Sequence, residues 1–142
     1  MRTPTFFAIL LCSLALAQAA EPLPSAGLPH PLNGVWSWTL AGKQCAESLQ
    51  YRANGTGTST SGVEHTQSHY EVSPMPSLLG FYRIAETVTE SNGQPDCSGD
   101  MHEVTNAPAV RFIQFSPRHD LLIVCKTEAL KECFGPLKRT TP

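Results

Sequence analysis

The chain has 142 residues, with 10 Lys and Arg against 12 Asp and Glu and a formal charge of −2. That length suits one small domain, and that charge excludes the basic footprint that nucleic-acid binding needs. Charges of both signs are scattered along the chain, which also excludes strong steering toward a highly charged partner.

Arg2 precedes the apolar run FFAILLCSLALA, Phe6 to Ala17, and Ala17-Gln18-Ala19 reads as an A-x-A cleavage site. Residues 1–19 are therefore expected to be a signal peptide, and the protein to be exported, periplasmic or secreted, with no stable membrane anchor. The apolar run falls short of the ~20 residues of a comfortable membrane span. Cys12 follows the bulky Leu11 and is expected to leave with the signal peptide. Residues 20–32 contain EPLPSAGLPHPL, whose four prolines exclude a helix or a central strand. This stretch is expected to be a disordered leader to a single β domain over 33–139, with 140–142 as a tail.

Within that domain the two-residue period dominates. Trp36, Trp38 and Leu40 share one face of the first strand, with Ser37 and Thr39 on the other. In Cys45–Arg52, Leu49 and Tyr51 alternate with polar residues, and Asn54-Gly55 matches a type I′ hairpin turn. The Thr-, Ser- and Gly-rich segment Thr56–Val63 predicts a weakly packed strand at an edge or a barrel mouth. His65–Val72 alternates again, Pro74 and Pro76 break the chain, and Gly80–Glu90 is a long strand ending at Asn92-Gly93. A loop carrying PDCSGD follows. Val110–Phe115 and Leu121–Cys125 then read as a hairpin, the second of these being apolar throughout. Thr127-Glu128-Ala129-Leu130 predicts a short capped helical turn, ended by Gly135-Pro136. Many short strands with frequent turns predict an all-β domain, a small antiparallel β-barrel or strongly curved sheet that must close or cover itself.

Four cysteines lie outside the expected signal peptide: Cys45, Cys97, Cys125 and Cys133. An even number in a small exported chain predicts two disulfides. Three pairings exist on paper; Cys125–Cys133, a local staple, and Cys45–Cys97 are the expected ones. Zinc is the rival use, but no pair has the close C-x₂₋₄-C spacing that zinc sites favour.

The residues that could carry chemistry are few. His65 and His69 lie on one strand face roughly 13 Å apart, too far to chelate together, on a face that also carries Gln67 and Glu71. Glu86 shares its face with Tyr82, Ile84 and Val88. A carboxylate there lines a wet cavity, pairs with a buried arginine such as Arg111, or marks a bulge. Asp96, Asp100, His102 and Glu103 cluster around Cys97, without the spacing of an EF-hand, and read as a polar loop pinned by a disulfide. Ser98 is in no G-x-S-x-G elbow. No catalytic residue, metal site or cofactor is assigned.

Gly34-Val35-Trp36 resembles the G-x-W that opens the first strand of lipocalin-like proteins. The resemblance implies a barrel whose end the tryptophan plugs, with a late arginine stacked on it, here Arg139 in GPLKR. The chain is also similar to small exported bacterial proteins with a cysteine-led strand (CAESLQYRANGTG), a DCSG loop and a terminal CFGPLKR; that similarity implies no mechanism. The expected function is non-enzymatic binding of a small, largely apolar ligand, with Trp36, Trp38, Tyr82 and Glu86 as its contacts. The alternative is a periplasmic protein-interaction module, an inhibitor or immunity-type protein acting through its loops; an enzyme ranks third. Plain core is the competing role for Trp36 and Trp38.

Overall fold

Alternation of inward apolar and outward polar residues, repeated strand after strand, gives a sheet with one face to bury. In the computed structural model that sheet closes on itself. The structure describes residues 29–40, 42 and 44–141. Eight strands follow in order: β1 (Gly34–Thr39), β2 (Ala46–Tyr51), β3 (Thr56–Ser61), β4 (Glu64–Val72), β5 (Tyr82–Ser91), β6 (Ala109–Phe115), β7 (Leu121–Cys125) and β8 (Cys133–Thr141). Each pairs antiparallel with the next, and β1 pairs with β8 to close the barrel. Closure leaves no sheet edge among these strands. Both expected disulfides are present, Cys45–Cys97 and Cys125–Cys133. No helix among the described residues is long and apolar enough to cross a membrane. The signal-peptide reading of 1–19 lies outside the described residues.

Four expectations change. The segment Thr127–Leu130 is a turn rather than a helix, and Leu130 and Glu132 both take positive φ, which no helix continues. The chain after Cys133 is not a terminator but β8, which pairs with β7 and β1 and extends to Thr141, past the expected boundary at Arg139. Gly135-Pro136 fits this strand because the β7–β8 ladder shifts register between Leu122 and Val124. Gly135 has φ 111°, and a Cβ there would lie 2.9 Å from the Leu137 nitrogen. The third change concerns β3: of the two expected places, an edge or a barrel mouth, the edge is excluded, because β2 and β4 pair with it on both sides. The last is the leader boundary. His30, Pro31 and Leu32 contact the barrel, and Leu32 is fully buried. Prolines forbid helix and ladder, but they do not forbid a plug.

The core gathers at one end. Trp36 is 0% exposed and packs with Leu32, Ile113, Leu122 and Leu137, with Tyr82 and Phe115 against them. The Trp36 indole nitrogen donates to the Leu32 carbonyl at 2.8 Å. Arg139 lies over the Trp36 ring, its guanidinium carbon 4.2 Å from the centroid. The same guanidinium donates to the carbonyls of Asn33 (2.7 Å), His119 (2.9 Å) and Pro31. One side chain thus joins β8, the β6–β7 turn and the segment before β1. Burial pushes the Arg139 pKa below its ordinary value, and this set of carbonyls and the indole face hold the charge in place. Phe81 is also buried, outside this cluster, beneath the β4–β5 connection.

Candidate functional site

The opposite half of the lumen is not filled. The inward residues of β3 are Gly57, Ser59 and Ser61, too small to reach the barrel axis, and a cavity of about 210 Å³ remains beside them. Its apolar wall comes from Leu49, Ile84, Val88, Ile113, Val124 and Phe134. Its polar wall is acidic, with Glu47, Glu64, Glu86 and Asp96 against Arg111 and His102. Larger hollows occur on the outer face, one between His69 and Thr87 and one along Thr58, His65 and Glu90. Both are open surface grooves, so the lumen is the candidate site.

Each carboxylate is positioned by neutral donors. Glu86, on β5, accepts from the Ser68 hydroxyl at 2.6 Å and from the Tyr51 hydroxyl at 3.4 Å. Gly57 makes room for this arrangement: a Cβ there would lie 2.6 Å from the Ser68 oxygen and 3.4 Å from a Glu86 oxygen. Burial, reinforced by the Glu86 charge, raises the Tyr51 pKa well above its ordinary value, and raises Tyr70 in the same way. Both phenols therefore stay protonated and act as donors. Glu47 accepts from Ser61 at 2.9 Å. Glu64 is 2% exposed and accepts from the backbone nitrogen of His102 at 3.0 Å, with the His102 Nδ1 at 2.9 Å.

Arg111 lines the same lumen without an ion pair among the described residues. Its guanidinium donates to its neighbour's carbonyl, Val110, at 2.9 Å. The expected alternative of a Glu86–Arg111 pair is not what the structure builds. Nor does a bulge displace Glu86: Tyr70 faces it across an unbroken stretch of the β4–β5 ladder.

The long β5–β6 connection lies over the mouth of this cavity. Cys45–Cys97 fastens it to the start of β2, and the Cys97 nitrogen donates to Ser61 at 2.9 Å. Glu64, Asp96 and His102 there offer ligand atoms within 4.8 Å of one another, the set among the described residues that could hold a metal ion. Each already has a role in the loop: His102 engages Glu64, and Asp96 accepts from the nitrogens of Ser98 and Asp100, both at 2.8 Å.

Of the four expected ligand contacts, the structure places Glu86 on the cavity and the other three elsewhere. Trp36 and Tyr82 belong to the packed end. Trp38 is half-buried and touches the cavity wall only through Phe134, ring centroids 5.9 Å apart. His65 and His69 are exposed, on the outer face as expected. Missed altogether were Glu47 and Glu64. Their inward position follows from alternation with Tyr51 and Tyr70, so the period carried the signal.

The chain matches no protein-family model, no curated protein and no solved structure.

Proposed function

We propose that this is an exported lipocalin-like barrel that binds a small, largely apolar ligand in its lumen. The observation that carries the reading is the cavity of about 210 Å³ between the apolar wall of Leu49, Ile84 and Ile113 and the carboxylate of Glu86. Cavities of ~150 Å³ accept benzene, and drug-sized sites begin near ~300 Å³. The ligand is therefore about one ring with a short substituent, smaller than a fatty acid. The closed order of eight strands, the G-x-W at Gly34–Trp36 and the stacking of Arg139 on Trp36 support the lipocalin-like part. The leader pattern in 1–19 and the two disulfides support export.

The test is a titration with 2-phenylethanol followed by methyl NMR and calorimetry. Saturable binding is expected, with a dissociation constant on the order of 0.1–1 mM for so few atoms and the largest shifts at Leu49, Ile113 and Val124. Ser59→Phe fills the cavity from β3 and should abolish binding with the circular dichroism spectrum retained. One observation favours an interaction module instead: Met75, Leu78 and Leu79 on the β4–β5 connection are exposed, Leu78 fully. Absence of saturable shifts at the three lumen methyls would remove the ligand reading and leave that one.

A further inference from the structure

We infer that the lumen selects a protonated amine: a ligand with one apolar ring and an ammonium group that docks on Glu86. This rests on the lumen-binding reading and names the ligand class for that site.

The charge distribution carries the inference. Four carboxylates and one guanidinium face the cavity, with His102 already engaged by Glu64. Arg111 forms no contact ion pair with these carboxylates among the described residues, and its hydrogen bond goes to the backbone of Val110. An anionic ligand would meet one cation and four like charges, so it is disfavoured by the sum. A neutral ligand would leave the charges uncompensated. A monocation removes part of the imbalance.

Among the four carboxylates, Glu86 is the one placed for this. Glu64 and Asp96 are occupied with backbone donors of the covering loop, and Glu47 is on the β2 segment beside that loop. Glu86 is flanked on its own strand by Ile84 and Val88, with Ile113 on the neighbouring strand, so an ammonium on its oxygens sets the attached ring against the apolar wall. Each of its oxygens accepts one bond, from Ser68 and from Tyr51. An ionised carboxylate has about four acceptor directions, which leaves about two for the ligand. The two neutral donors fix the carboxylate without cancelling its charge. Gly57 is the residue whose missing Cβ lets Ser68 and Glu86 meet, so the acidic point is built into the backbone of β3.

The experiment measures 2-phenylethylamine, 2-phenylethanol and phenylacetate on the intact protein at neutral pH by calorimetry. They share a ring and differ in charge. The amine is expected to bind about tenfold tighter than the alcohol, because it brings a full positive charge to the carboxylate where the alcohol brings a neutral donor, and phenylacetate weakest. Glu86→Gln should weaken the amine more than the alcohol and abolish the preference between them. Glu86→Asp keeps the charge and should keep the order of the three, which guards against a fold effect of the amide. Equal binding of amine and alcohol by the wild-type protein overturns the amine selection and leaves the lumen reading standing. A preference for the amine that survives in Glu86→Gln overturns the assignment to Glu86. Failure of all three probes overturns the lumen reading, and the amine selection with it.

Discussion

The two ends of this barrel are built from the same alternating strands and put to opposite uses. At one end Trp36, Leu32, Leu122 and Leu137 close the lumen completely, and the one charge there, Arg139, is held by three backbone carbonyls and an aromatic face. At the other, small residues on β3 leave space, and carboxylates take inward positions that a core would fill with Leu or Val. Buried apolar area stabilises a fold, while an inward carboxylate contributes little to it or opposes it. The packed end therefore holds the barrel closed, and the acidic end is free to differ. A chain that needed only stability would have packed both ends alike.

The largest expected effect breaks the packed end. Trp36→Ala removes the largest fully buried side chain together with the surface on which Arg139 stacks. Large aromatic-to-alanine changes in cores cost ~3–5 kcal/mol, a major part of the ~5–15 kcal/mol that folds a domain. The variant should be largely unfolded at 37 °C by circular dichroism. At the acidic end, Glu47→Gln keeps the acceptor for Ser61 and should shift stability by less than about 1 kcal/mol. Urea denaturation of both variants measures the contrast. Equal losses would mean that the acidic end is structural after all.

The disulfides sharpen the same comparison on the side of the mouth. Cys45–Cys97 spans 52 residues and fastens the covering loop, whereas Cys125–Cys133 closes only 8. Chain entropy assigns about 4 kcal/mol to the first and about 2.5 kcal/mol to the second. Replacing each pair with Ser should therefore lower stability in that order. Loss of Cys45–Cys97 should also deprotect the amide of His102, which is held only through Glu64, while the amides around Trp36 keep their protection. Deprotection at both ends alike would show that the loop and the packed end unfold together.

Legibility followed the same division. Strand alternation, a turn at Asn54-Gly55 and the disulfide pairing were readable, because each is local or depends on one pair of residues, and the contact between Arg139 and Trp36 followed from the G-x-W resemblance. The turn is not the expected type I′: Gly55 takes positive φ, Asn54 does not, and the Gly55 nitrogen donates to the Arg52 carbonyl at 3.0 Å. What the chain did not show was β8, since Gly135-Pro136 signals termination unless a register shift on β7 makes room for it. The leader boundary was hidden for a related reason: proline rules concern hydrogen bonding, and Leu32 is held by burial. In the lumen, alternation points Glu86 inward beside Tyr82 and Ile84, and it points Glu47 inward with Tyr51 and Glu64 inward with Tyr70. Whether an inward position becomes wall or core depends on its partners on the neighbouring strands, here Ser61, which pairs with both Glu47 and Glu64, and no single strand contains that information.

The smallest expected effect lies at the packed end and depends on pH. His30, just before β1, packs edge-on against Tyr82 with ring centroids 4.8 Å apart, and its Nδ1 accepts from the Leu32 nitrogen at 3.1 Å. That bond requires an unprotonated Nδ1, so the neutral ring is the form that fits. Burial is the largest influence and pushes the His30 pKa below its ordinary value of 6.5; the Ser73 backbone raises it by less, and the nearby His119 adds a still smaller lowering. The folded state thus binds fewer protons than the unfolded chain in this range. The stabilisation is fully present above about pH 6.5 and declines as the pH falls toward the lowered folded value. Between pH 8 and pH 5 the melting temperature should fall slightly, and the protection factor of the Leu32 amide should fall with it, while the amides of the mouth loop do not follow. His30→Phe retains a ring against Tyr82 and Phe115 but has neither acceptor nor titration. It should remove this dependence at the cost of a Leu32 amide that is less protected at every pH. A Leu32 protection factor that stays flat from pH 8 to pH 5 in the wild-type protein would show that the segment before β1 is held by Leu32 and Arg139 alone, with His30 as a bystander.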